Sequence, residues 1–210
     1  MLDTKKVKGF LMAPSETFKA TKGDTLGGAF QYYAILLVIW GILAAIVYEI
    51  IGYIAFQDAL IRIGNSGVLG MMLAKALANF GGYVATVSLF AVYAVFLLSL
   101  VGVFVIGFLW HVFVLLFAGG NKDIVQTIKT TMYASTPFFL LGWIPVVAII
   151  GWIWYLVLLI LGIKETQDTT MGQAILIVIV PLILVFILLA LGSAVVAALT
   201  AGVLGILLGH

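Results

Sequence analysis

No cysteine occurs in the 210 residues. That excludes disulfides, thiolate nucleophiles and cysteine-bound metals, and it leaves the redox compartment unread. Charge is almost as scarce, since Asp, Glu, Lys and Arg together make up 9% of the chain, against roughly 25% in soluble globular domains. Histidine appears twice, at His111 and His210. There is no HExxH pair, no phosphate-binding glycine loop and no pair of aspartates inside an apolar run. A single His and a single Glu on separate helices also fall short of the ligand set of a catalytic zinc. The expectation is therefore a chain that is not an enzyme, with no catalytic residues, no cofactor and no metal, and nothing in it suits nucleic acid.

What the chain has in abundance is apolar surface: 65% of its residues are hydrophobic. That composition reads as an all-α, polytopic integral membrane bundle. Five spans are expected, at about residues 28–56, 84–117, 124–141, 146–163 and 172–200. Residues 1–26 form a cytoplasmic amphipathic lead, and 27–210 the transmembrane domain. No short apolar core lies close to Met1, so the N-terminus is expected to be retained.

In the lead, Val7, Phe10, Leu11 and Phe18 alternate with Lys5, Lys6, Lys8, Lys19 and Lys22. This is the pattern of a short helix lying on an anionic leaflet, the alternative being a disordered basic tail. Pro14 with Ser15 and Glu16 suits a new helix start. The first span carries Glu49 near Tyr48, Tyr53 and Gln57. Its carboxylate belongs either at the far interface, the simpler reading for a long span, or in a cavity. Asn65-Ser66-Gly67 marks a turn, and residues 68–80 suit a short interfacial helix with Lys75. Gly64 to Gly67 also spells the GxSG string of rhomboid-type proteases, with His111 as a conceivable base, but the rest of that family's pattern is missing.

In the second span Gly107 lies one turn before His111, which turns the imidazole toward a helix that can approach closely. A structural hydrogen bond is its simplest role, with a proton relay or ligand contact as alternatives. Gly119-Gly120 end that helix, and Asp123 with Gln126 resembles a capping pair for the next. Pro137 frees the carbonyl near Tyr133, so a kink with hydroxyl compensation is expected. Gly142-Trp143-Ile144-Pro145 forms a turn at headgroup level, and the next span returns through Trp154. The last run contains Pro181 and small residues at fours, Ala194, Ala198 and Gly202, then Gly205 and Gly209. Such faces favour helix association and a homo-oligomer, and whether residues 193–208 break into a separate helix stays open. With five spans, Lys5, Lys6, Lys8, Lys19, Lys22, Lys122, Lys129 and Lys164 fall on one side and Arg62 and Lys75 on the other. This places the N-terminus in the cytoplasm and the C-terminus outside.

His111, Gly119-Gly120, Gln126, Tyr133-Ala134 with Pro137, Gly142, Pro145, Trp154, Gly162 and the loop to Ala174 together resemble the Yip domain family, named for Ypt/Rab-interacting proteins. The stretch from Phe10 to Phe18 is similar to the start of prokaryotic members. The resemblance implies a five-helix integral membrane domain with a cytoplasmic N-terminus. Eukaryotic relatives bind prenylated Rab GTPases and associate with one another in trafficking and membrane shaping. This chain has only a short lead and lacks the Asp-Leu-Tyr-Gly-Pro-type motif of one trafficking branch, so it resembles a compact bacterial or archaeal member. Its expected role is a non-enzymatic scaffold or adaptor among membrane lipids, with its protein partner unknown. The alternative is a small-molecule, lipid or ion permease with a cavity near His111 and the Pro137 kink.

Overall fold

The computed structural model describes residues 3–119 and 123–208, with side chains described for all of these except 82–85 and 202–208. It is a bundle of helices, with no strand among the described residues. Two short helices, α1 (Thr4–Met12) and α2 (Pro14–Ala20), fold as a hairpin under the bundle, and a 3-10 turn (Thr21–Gly23) leads into α3 (Leu26–Gly64). A short α4 (Val68–Ala78) then packs back on α3, and α5 (Gly81–Ala118) follows. The chain continues through α6 (Ile124–Ala134), α7 (Thr136–Leu141), α8 (Ala148–Thr166) and α9 (Met171–Leu208).

Local chemistry explains the starts and breaks. Asp3 caps α1 through the amides of Lys5 and Lys6, Thr25 caps α3 through Gly28, and Asp123 caps α6 through Val125. Pro14 opens α2, where its missing amide costs nothing. Between α6 and α7 the helix breaks at Ser135 because Pro137 has no amide to offer the Tyr133 carbonyl. The Thr136 hydroxyl supplies that bond instead, at 2.6 Å, and Ser135 closes the turn before it by donating to the Thr131 carbonyl at 2.9 Å.

Among the described residues, four helices are long and apolar enough to cross a membrane: Leu26–Gly64, Thr86–Ala118, Ala148–Thr166 and Met171–Ala201. The expected span at 124–141 is the broken pair α6 and α7, and α6 is buried along most of its length. Residues 193–208 continue α9 without a break at Pro181 or beyond.

Helix–helix approach relies on glycine. A Cβ on Gly107 would come within 2.9 Å of Ile128, so the missing side chain there lets α5 cross α6 closely. A Cβ on Gly162 would lie 2.5 Å from Thr130 and 2.8 Å from Phe18, which joins α8, α6 and the hairpin at one point. The lead thus differs from the helix on a leaflet that its amphipathic pattern suggested. Phe10 and Phe18 are fully buried against Tyr32, Tyr133 and Gly162. The aromatic cradle under the bundle takes up the apolar face that a leaflet would otherwise cover.

Candidate functional site

Two polar assemblies and two cavities come out of this architecture. The first assembly clamps the N-terminal hairpin. Lys6 Nζ lies 2.6 Å from Asp24 Oδ2, and the Tyr133 hydroxyl donates to the same oxygen at 2.5 Å. Phe10 stacks on the Tyr133 ring at 5.1 Å, and the Lys6 ammonium sits 5.5 Å from the centre of that ring. Lys129 is only 3% exposed, yet its ammonium donates to the carbonyls of Lys22 and Asp24 at 2.9 and 2.7 Å. A buried cation needs such partners. Burial pushes the Asp24 carboxyl up, but hydrogen bonds from Lys6 and Tyr133 and the charges of Lys6 and Lys129 outweigh it and hold it below its ordinary value. Around this clamp, Lys22 pairs with Asp168 at 2.7 Å, and Lys164 and Lys19 reach Glu165 at 2.8 and 3.5 Å.

The second assembly holds His111, which is 6% exposed and lies 2.9 Å through Nδ1 from the Thr127 hydroxyl. Gln167 donates from Nε2 to Thr127 Oγ1 at 2.8 Å and to the Asp123 carbonyl at 2.7 Å. With Thr127 accepting from Gln167, its proton is free for His111 Nδ1. Thr130 and Thr166 bond each other at 2.8 Å in the next layer. Together these groups seal the hairpin end of the bundle.

A chamber of about 590 Å³ opens above this sealed end, beside the break before Pro137. Thr131 and Ser135 of the broken helix, Tyr33, Ser99 and Tyr155 bring hydroxyls to it, and Phe138, Phe139 and Trp152 give aromatic walls. His111 does not line it. A second crevice of about 480 Å³ lies between α3 and α5, where Ser88 donates to Glu49 among Tyr48, Tyr53 and Phe56. No cation pairs with Glu49 among the described residues.

The sequence-picked residues thus scatter over several roles. Tyr133 belongs to the hairpin clamp, and Gln126 donates to the Lys22 carbonyl at 3.1 Å instead of closing a capping box with Asp123. Gly119 ends α5 at φ +95°, a conformation that favours glycine, and Gly120 lies outside the described residues. Pro145 sits exposed in the turn before α8, and Trp154 lies on the outer face of α8. The GxSG string is a surface turn whose Ser66 hydroxyl donates to the Ile63 carbonyl at 2.7 Å, while His111 sits near the other end of α5. Sequence reading missed Asp24, Lys129, Thr127 and Gln167 as members of the sealed end. The one local signal was Lys129 at helical i, i+4 spacing from Tyr133 in a threonine-rich helix. Among the described residues, no group of three His, Asp or Glu side chains could hold a metal ion.

Compared with known proteins, the chain matches the model of the Yip1 domain over residues 8–192. Neither the curated proteins nor the solved structures give a match. The matched stretch takes in the hairpin from residue 8 onward, the sealed polar end apart from Lys6, the kinked helix pair and most of α9. On that match, the chain is a membrane protein of the Yip1 domain family.

Proposed function

We propose that this protein is a non-enzymatic membrane scaffold that assembles with copies of itself through the outer lengths of α3, α5 and α9. One observation carries the reading. At 1.5 Å per residue the 19-residue α8 is about 28 Å long, close to a bilayer core, whereas the 39, 38 and 38 residues of α3, α5 and α9 reach about 57 Å. Much of the excess is apolar and uncovered: Ile54, Phe90, Leu188 and Leu199 are each more than 60% exposed. Helices so mismatched to the bilayer must tilt or associate. At the hairpin end His111 is buried on Thr127 and does not line the chamber. The lysine-rich end, with Lys5, Lys6, Lys8, Lys19 and Lys22, is the cytoplasmic one by the charge rule.

Absence of cysteine makes the test clean, because single cysteines can be placed at will. Leu188→Cys and Ala198→Cys proteins oxidised in native membranes should yield disulfide-linked dimers. Monomers alone, with no other protein captured, would sink the assembly reading. The chamber beside Pro137 supports a second reading, transport of a small uncharged solute. Liposome flux that Ser135→Trp leaves unchanged would remove it.

A further inference from the structure

The chamber and the cleft beside it form one slot with two chemistries. The chamber shares Ile106, Trp110, Leu182 and Val185 with a smaller cavity of about 140 Å³ between α5 and α9, which adds Phe113 and Pro181 and has no polar lining residue but Trp110. Hydroxyls therefore crowd one part of the slot, and a hydrocarbon groove leads from it along lipid-facing helices.

The hydroxyls already use their protons. Tyr33 donates to the Ser99 carbonyl at 3.1 Å, Ser99 to Val95 at 2.7 Å, Thr131 to Thr127 at 3.0 Å and Ser135 to Thr131 at 2.9 Å. Trp110 is different: it is 8% exposed, and its buried Nε1–H completes no hydrogen bond. The Tyr155 hydroxyl stands beside it without regular hydrogen-bond geometry. The indole N–H and the phenol O–H thus meet at one spot with the Tyr155 oxygen as the acceptor beside them, in poor alignment, and a further acceptor oxygen there would complete both donors.

The occupant's chemistry follows from the walls. No charged side chain lines either cavity, so a phosphate or free carboxylate would be buried without a counter-ion. Trp110 lies eight residues before the end of α5 at Ala118, about 12 Å along a helix long and apolar enough to span a bilayer. A hydrocarbon tail fits the cleft, and a neutral oxygen acceptor fits between Trp110 and Tyr155. The chamber's volume is within the roughly 300–1,000 Å³ of ligand sites. From this geometry we infer that the slot binds an uncharged single-tailed membrane lipid, its carbonyl oxygen accepting from Trp110 and Tyr155 and its tail lying between α5 and α9 at Pro181. The inference shares the chamber with the transport reading but requires no transport.

A photoactivatable monoacylglycerol with a diazirine in its acyl chain, used at low mole fraction in vesicles of zwitterionic diacyl phospholipid holding the full chain, tests it. Labelled peptides should map to residues 103–113 and 178–185, and excess unlabelled monoacylglycerol should compete. Trp110→Phe, which keeps the ring and removes the donor, should lower labelling several-fold. Leu182→Trp, which fills the groove, should abolish it, while Phe186→Ala on the open face of α9 should leave it unchanged. Unfolding midpoints of all three variants guard against misfolding. The site is overturned if label spreads evenly over the lipid-facing helices, or stays the same in Trp110→Phe, or is matched by a diazirine phosphatidylcholine. Competed labelling in protein that moves no solute upholds the site and removes transport.

Discussion

Thr127 joins His111, Gln167 and Asp123 through one hydroxyl and one neighbouring carbonyl. Thr127→Val keeps the volume and deletes the hydroxyl, so two buried polar groups lose a partner. The expected cost is about 1–3 kcal/mol, read as a lower unfolding midpoint in detergent, and an unchanged midpoint would show that water replaces the hydroxyl. Gly162→Val should do worse, because its Cβ starts 2.5 Å from Thr130 and 2.8 Å from Phe18. Overpacking of this kind costs about 1–3 kcal/mol, occasionally more, and here it should also undock the hairpin. Asp24 gives a pH signature. Its carboxyl is held below the ordinary value in the folded protein, so its contribution is complete above that value and is lost as pH falls through the folded one. Amide protection in residues 4–20 should therefore fall below about pH 4, and Asp24→Asn should show low protection already at neutral pH, with only the smaller acid transition left by the Glu165–Lys19 pair.

At the scale of elements, the broken pair α6 and α7 sets two residues against each other. Pro137 causes the break, but Thr136 holds both the Tyr133 carbonyl and the Tyr32 hydroxyl, the latter at 3.0 Å. Thr136→Val should consequently destabilise the protein more than Pro137→Ala, and thermal unfolding of the two variants decides it. This break was legible in the sequence because its cause lies within four residues: a proline, the carbonyl it strands and hydroxyls close enough to help. The α4 helix was legible for the same reason, being framed by a glycine turn. Docking of α1 and α2 was not. Their amphipathic pattern states that one face must be covered, but Tyr133 and Gly162, which cover it, stand more than a hundred residues away. Gln126 misled in the same way, since a spacing that fits a capping box also fits a contact with the distant Lys22 carbonyl.

For the whole molecule, the mismatch between α8 and its longer neighbours ties assembly to bilayer thickness. In vesicles of shorter acyl chains more of α3, α5 and α9 leaves the hydrocarbon, so the disulfide-linked fraction of Leu188→Cys should rise, and thicker bilayers should lower it. An equal yield across thicknesses would mean that the helices simply tilt. Membrane character and lysine asymmetry were plain from composition, but the five spans expected meet four helices long enough to cross among the described residues, and the division into a sealed polar end and an open apolar end was not legible. It depends on which threonines, glutamines and lysines meet across helices, and pairing over long separations leaves no period to read.

The hairpin's clamp also fixes an order of events during synthesis. Phe18 leaves the ribosome 144 residues (162 − 18) before Gly162, the residue it packs against. At roughly 5–20 residues per second, that interval is on the order of 7–30 s. Throughout it Phe18 lacks the Gly162 surface it packs on, although Tyr32 and Tyr133, which flank Phe10, are made sooner, so the hairpin cannot finish docking until α8 is made. Completion of the hairpin's dock therefore waits on α8, and a chain truncated before α8 leaves Phe18 without the surface it packs on.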